Sequence, residues 1–335
     1  MMDREETRLR RSPFRMRDAA LQDYVQGIAC RLGADHCPDI RVYLVRTPLF
    51  NANMAPNGMM QVWTGLMLRV DNEAQLAAVL GHEIGHYLER HSVERLRDAK
   101  SRAAFGSFMG MFGVVGAVGV LATLAGAFAY SRDHERRADN IGLLLMHKAG
   151  YDPAEASKVW ENLLMELKAK LGGDPTRSPM FATHPPAAER KETLMKLAER
   201  LPGGAKNDGA WQGRIKQYCR EWLREEVSRG QHEESLALLT RKIAELAPQP
   251  DFLSARAEVY RLRAQEKDLD AAIADYQAAA VLGGEPPETH RGLGMIYRLR
   301  KQLPEARASF QRYLDLAPAA PDAAIIKNYV EELGT

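Results

Sequence analysis

Apolar residues recur at helical spacing along most of this chain and alternate at strand spacing in only two short places. Leu21, Tyr24, Val25, Ile28 and Leu32 fall on one helical face, which predicts a helix over 18–33. From Ile40 to Val45 apolar and polar side chains alternate, the period of a strand, and Met59 to Thr64 reads as a second strand. Between them Asn51 to Gly58 is turn-rich, with Pro56, Asn57 and Gly58 together. A long helix follows. Asn72 is a good N-cap, Gln75 stands at the capping-box position, and the pattern carries the helix from Glu73 to beyond His91. Further helices are predicted from Ser131 to Gly150, from Pro153 to about Leu171, and from Pro185 to about Leu201. Tyr151-Asp152-Pro153 marks the stop and restart between the first two.

After residue 202 the pattern changes. Gly203 to Gly209 reads as a linker, and the remainder is helical with an internal repeat. Leu293, Gly294, Tyr297, Ala306, Phe310 and Pro318 fit tetratricopeptide spacing, and Ala272 and Tyr276 precede Ala306 and Phe310 by 34 residues, the period of that repeat. The first repeat departs from the pattern, since Tyr260 to Ala272 is three residues longer than Tyr297 to Ala306. Residues 233–248 look like a degenerate half-repeat ending at Pro248. Such an array stacks helix pairs and leaves a concave surface suited to a protein or peptide partner. The predicted fold is therefore a mostly α domain with a small β-sheet (α+β), followed by an all-α, tetratricopeptide-like repeat domain. The boundaries are an arm at 1–17, the α+β domain at 18–202, a linker and connecting helix at 203–230, and repeats at 231–330.

Composition narrows the function classes. The 335 residues are 45% hydrophobic and 27% charged, as expected of a globular chain with a sizeable core. The net charge of +2 argues against a nucleic-acid partner, because no basic field covers a domain. The first twenty residues hold six arginines and four acids, mixed in sign, which predicts a solvated leader. That leader lacks the apolar core of a secretory signal, which favours the cytoplasm if the chain start is genuine. Of Cys30, Cys37 and Cys219, the first two are close enough to pair in an oxidising compartment, and unpaired buried thiols are the other reading. The run from Ala103 to Tyr130 has 28 residues, no charge and six glycines, a membrane-span length. As a hairpin, each arm would be only ~21 Å of helix against a ~30 Å hydrocarbon core. The run therefore reads as a soluble hairpin or lid, with membrane association as the alternative.

The chemistry lies in His82-Glu83-Ile84-Gly85-His86. On a helix His82 and His86 share a face and can present ring nitrogens to one metal ion, with Glu83 beside them. Zinc suits such a set, accepting imidazole and carboxylate while keeping one position for water. Glu83 is placed to act as general base on that water and to return the proton to the leaving amine. The helix around the motif is apolar at Leu76, Ala77, Val79, Leu80, Ile84 and Leu88, so two histidines and a glutamate there need a partner to satisfy them. Glu135 heads Glu135-Arg136-Arg137-Ala138-Asp139 and is the third candidate ligand. Asp139, one turn on, can accept a hydrogen bond from a ligand histidine and fix its tautomer. If Glu135 joins the same zinc as His82 and His86, a single membrane crossing between them is excluded. One Zn2+ per chain is the cofactor expected.

Gly81 to His86, Tyr130-Ser131-Arg132, Glu135 and Ala138-Asp139 together resemble the gluzincin metallopeptidases that include the CAAX prenyl proteases and bacterial HtpX. With the C-terminal repeats, the chain is most similar to the BepA-like envelope-quality-control proteases. The resemblance covers about 18–200 and 230–320. It departs at Arg137, where the family usually carries an acid. It implies a zinc metalloendopeptidase acting on unfolded or misassembled proteins in the periplasm or cell envelope. It also implies that His184, in Thr183-His184-Pro185, lies near the metal. There it either stabilises the oxyanion or occupies zinc's open position in a latent state, with Arg190 supporting the charge or orienting the loop. The segment from Asn51 to Gly65 resembles the one whose strand edges the cleft, so an extended peptide is expected to pair with Met59 to Thr64. The rival class is a zinc-stabilised adaptor or chaperone acting through its repeats.

Overall fold

A computed structural model describes residues 2–90, 130–169, 180, 183–184, 188–201, 203–247 and 249–334. The chain divides into two compact units, Met1–Tyr218 and Cys219–Thr335. The apolar run 103–130 lies, except for Tyr130, outside the described residues, as do His91, Leu171, Pro185 and Pro248.

The first unit opens with helix α1, Met2–Arg11, where mixed charge predicts a solvated arm. The mixture itself explains the difference. Acids and arginines fall three and four residues apart, giving Arg8–Glu5 at 2.6 Å and Arg10–Glu6 at 2.9 Å, and such pairs support a helix. Leu9 is buried, and Glu6 accepts from Arg41 Nε and Nη2, both at 2.8 Å, and from the Tyr43 hydroxyl at 2.7 Å. Helix α2, Ala19–Gly33, is capped by Asp18 and buries Leu21, Val25, Ile28 and Leu32. Its last turn is tied to the following 3-10 turn, Ala34–Asp39, by a disulfide between Cys30 and Cys37.

The sheet has three strands, β1 (Arg41–Val45), β2 (Ala52–Met54) and β3 (Met59–Trp63), in the order β1-β3-β2. β1 runs parallel to β3 with Arg41 opposite Met59, and β2 runs antiparallel to it with Ala52 opposite Val62. The turn-rich segment thus contains a strand, and the reversal is confined to Ala55–Gly58. Gly58 has φ +85°, and a Cβ there would sit 2.0 Å from the Asp39 carbonyl oxygen. A consequence corrects the expected peptide track. Both sides of Met59–Trp63 are already paired, so it is central and offers no edge. The outer strands are Arg41–Val45, whose outer side is met by the segment around Arg15, and Ala52–Met54.

Helix α4, Glu73–Leu88, follows the short helix α3, Thr64–Arg69. Asn72 Oδ1 accepts from the Gln75 amide at 2.9 Å. Gln75 Oε1 accepts in return from the Asp71 amide, also at 2.9 Å and one residue before the cap. Every residue from Glu73 to His86 is buried, so the helix runs through the core and its polar residues Glu73, Gln75, His82, Glu83 and His86 are buried with it. The helix stops at Leu88, short of the His91 expected from the pattern, and Arg90 adopts a left-handed turn with φ +55°. Against α4 packs the helix Arg132–Lys148, capped by Ser131. Glycines allow this approach. A Cβ on Gly85 would lie 2.8 Å from the Ala138 carbonyl oxygen, and one on Gly142 would lie 3.0 Å from the His82 amide nitrogen. Helices Glu155–Lys168 and Ala188–Glu199 complete the packing around the site.

The second unit holds the helices His232–Glu245, Pro250–Arg263, Asp268–Leu282, Glu288–Leu299, Leu303–Leu316 and Ala323–Glu332, each packed on the next. Ala272 and Tyr276 pack with Leu293 and Ile296, and Ala306 and Phe310 pack with Tyr313 and Ile326. Small residues let these rings in: a Cβ on Gly292 would lie 2.3 Å from the Tyr276 hydroxyl, and one on Gly294 would lie 2.4 Å from the Phe310 ring. Among the described residues no helix is long and apolar enough to cross a membrane.

Candidate metal centre

Four side chains from three segments converge in the first unit. His82 and His86 come from α4, Glu135 from the first turn of Arg132–Lys148, and His184 from the short stretch after Met180. All four are buried, and their donor atoms lie within 4.8 Å of one another. His82 Nε2 stands 3.1 Å from His86 Nε2 and 3.1 Å from His184 Nδ1. Glu135 Oε1 stands 3.0 Å from His184 Nδ1 and 3.3 Å from His86 Nε2, and Oε2 is 3.6 Å from His82 Nε2.

These distances test whether the residues fit a metal. Nitrogen and oxygen ligands bind zinc at about 2.0–2.1 Å, so the edges of their tetrahedron are about 3.3 Å. The observed separations bracket that length. The hydrogen-bond roles agree. Asp139 Oδ1 lies 2.9 Å from His82 Nδ1 and accepts its N–H, so in the neutral ring Nε2 of His82 carries a lone pair. That lone pair faces two other imidazole nitrogens and a carboxylate, an arrangement that calls for a cation at its centre.

Asp139 and Arg190 sit behind the ligands. Arg190 donates from Nε to Asp139 Oδ2 at 2.8 Å and from Nη2 to Oδ1 at 2.7 Å, and its Nη1 is 2.8 Å from Glu135 Oε2. Burial pushes both acids up, but His184 and Arg190 hold the Glu135 carboxyl well below the usual range, and Arg190 and His82 hold Asp139 low. Burial also opposes charge on His82, but its contact with Asp139 raises its pKa overall, whereas burial takes His86 well below an ordinary imidazole. Glu83 differs from the other two acids. Burial raises its pKa above the ordinary carboxylate value, and its main neighbour outside the cluster is the backbone N–H of Met54 on the edge strand. Its Oε1 is buried without a hydrogen-bond partner, 3.4 Å from His184 Nε2.

The seven residues singled out from the sequence are thus gathered in one place. Two aromatic residues frame them. Tyr130, which the sequence marked only as part of Tyr130-Ser131-Arg132 and without a role, stacks on His86 with ring centroids 3.8 Å apart and meets His184 at 5.0 Å. Trp160 meets His82 edge-to-face at 5.7 Å and lies under Arg190, and nothing in its sequence neighbourhood distinguishes it from an ordinary core aromatic.

The family model of peptidase family M48 matches residues 15–198, more than half of the chain. The chain belongs to peptidase family M48. The chain is 36% identical over 153 residues to the mitochondrial metalloendopeptidase OMA1 of Arabidopsis thaliana, a match covering 46% of this chain and 30% of that protein. It is 33% identical over 168 residues to human OMA1, covering 47% and 32%. It is 28% identical over 195 residues to the beta-barrel assembly-enhancing protease of Escherichia coli K12, covering 53% and 39%. The chain spans well under half the length of these relatives. The family is one of peptidases, and His82, His86, Glu135 and His184 form a group that could hold a metal ion.

Proposed function

We propose that this chain is a zinc-dependent metalloendopeptidase that cleaves unfolded or misassembled proteins in the cell envelope. Its peptidase part is 18–202, and the helices of 231–330 act as tetratricopeptide-like repeats that bind substrate or a partner protein. The observation that carries the reading is the convergence of His82 Nε2, His86 Nε2 and the Glu135 carboxylate beside a buried Glu83 oxygen that has no hydrogen-bond donor. His82, His86 and Glu135 would hold the zinc. When bound, zinc supplies a Lewis acid that polarises a carbonyl and acidifies water.

The chain's own residues do the rest. Glu83 Oε1 accepts a proton from water and passes it to the leaving amine, and its burial raises its basicity above that of an ordinary carboxylate. Asp139 holds the His82 ring in the tautomer that binds through Nε2. The Met54 amide, which orients Glu83, belongs to the edge strand Ala52–Met54. An extended substrate would pair with the side of that strand that no other strand takes among the described residues, a mode that reads backbone more than side chain.

His184 Nδ1 completes a four-donor set, which favours a latent state in which it occupies the position that a catalytic zinc leaves for water. An envelope location is supported by the Cys30–Cys37 disulfide, which persists in an oxidising compartment. The test is zinc content and casein hydrolysis for wild type, Glu83→Gln and Glu135→Ala. Glu83→Gln should keep its zinc and lose at least about 100-fold in turnover, and Glu135→Ala should lose zinc. Full biological activity in Glu83→Gln would favour an adaptor acting through its repeats instead.

A further inference from the structure

Trp160 has no role in the chemistry above, yet its indole touches two parts of the centre. It is buried on the helix Glu155–Lys168. The edge of the His82 ring meets it at 5.7 Å and 70°. The Arg190 guanidinium lies over its ring, with Cζ 4.7 Å from the centroid. Each of the three guanidinium nitrogens faces a carboxylate: Nε and Nη2 face Asp139, and Nη1 faces Glu135. The cation is thus held edge-on by two acids and face-on by one ring.

The plane of that cation decides how the acids are used. Glu135 and Asp139 stand one turn apart on the same helix, and a guanidinium can grip either with two parallel hydrogen bonds. Here the two-pronged hydrogen-bonded grip goes to Asp139, and Glu135 Oε2 meets a single nitrogen, Nη1, as an ion pair at 2.8 Å without hydrogen-bond geometry. Glu135 Oε1 is therefore left to face His86 Nε2 at 3.3 Å. A guanidinium free to tilt could take Glu135 by both oxygens and draw it away from the histidines. Asp139 would then also lose the geometry that holds His82. The aromatic face opposes this tilt, because it attracts the cation in one plane, which an aliphatic side chain would not do.

We propose that Trp160 is a positioning residue of the metal centre that acts through Arg190: the indole sets the guanidinium plane, and the guanidinium sets Glu135 and Asp139. The proposal rests on the reading of His82, His86 and Glu135 as the metal ligands. It also changes the part expected of Arg190, whose nitrogens are engaged with the acids and not directed at a developing oxyanion.

The test uses the full chain. Zinc dissociation constants, from competition with a chromophoric chelator, and visible spectra of the cobalt(II)-loaded protein are measured for wild type, Trp160→Leu, Trp160→Phe, Arg190→Gln and the Trp160→Leu/Arg190→Gln double variant. Trp160→Leu should weaken zinc by about 10-fold or more and alter the cobalt bands, while Trp160→Phe, which keeps a smaller ring, should weaken it only a few-fold. In the double variant Trp160→Leu should add little to Arg190→Gln, because its effect passes through the arginine. Wild-type affinity and spectrum in Trp160→Leu, or effects that multiply in the double variant, would overturn the proposal. If circular dichroism finds Trp160→Leu unfolded, Trp160→Phe decides, and an unchanged dissociation constant and spectrum there count against it. A wild-type chain that binds no zinc, or a Glu135→Ala variant that binds it undiminished, would instead overturn the metal reading on which this one rests.

Discussion

His184 is the residue whose role most changes the behaviour of the centre. Its Nδ1 lies as close to His82 and Glu135 as the histidines of α4 lie to each other, and its Nε2 points toward Glu83. On the proposed reading, a ring in that position would compete with water for the metal and shield the base. His184→Ala should therefore raise basal casein hydrolysis several-fold while leaving zinc stoichiometry at one per chain. A fall in turnover at unchanged zinc content would instead assign His184 to oxyanion stabilisation. From the sequence, the motif and its spacing located His82, Glu83 and His86, but His184 was legible only through family resemblance. One histidine before a proline carries no periodic signal, and its value lies in a contact with residues 102 positions away.

At the scale of elements, the centre depends on how closely α4 and the Arg132–Lys148 helix approach. Gly85 and Gly142 remove the side chains that would hold the two backbones apart. Gly85→Ala would place a methyl against the Ala138 carbonyl, and backbone atoms cannot rotate away as a side-chain end can. The variant should lose about 1–3 kcal/mol of stability in urea unfolding and bind zinc more weakly, since Glu135 moves with its helix. Retention of both properties would mean the helices have slack. Gly85 lies inside the motif and its spacing is visible, but the partner that requires its smallness is on another helix. The sheet gives the same lesson. Strand periodicity found Ile40 to Val45 and Met59 to Thr64, but three residues within a turn-rich segment form an outer strand, and only pairing with Met60 to Val62 reveals it.

At the scale of the molecule, the first unit is closed at its start by Glu6, which accepts from Arg41, Tyr43 and Arg10. The Arg41 hydrogen bonds hold the Glu6 carboxyl down to about 2, against an ordinary value of 4.5. Because the folded value is the lower one, the pairing stabilises the native state fully above pH ~4.5, and this contribution is lost as the pH falls toward ~2. Thermal melting followed over that range should show a steeper loss of stability in wild type than in Glu6→Gln. Equal slopes would show that the α1 contact adds nothing to the fold. The charge mixture of this leader suggested solvation, because sequence displays the charges but not the basic strand end that receives them.

What the sequence by itself determined was whatever repeats locally. Helical periodicity, the cap at Asn72, the His-Glu-x-x-His spacing and the 34-residue period in the last third all depend on neighbours within a few turns or on self-similarity. Tertiary structure alone decided which residues meet. It made Ala52–Met54 an outer strand, packed Met2–Arg11 onto β1, and brought Trp160 under Arg190. The physical reason is common to all three. Each depends on a contact between elements that are distant in the chain or paired across a sheet, and a single sequence records the chemistry of both partners without recording that they touch.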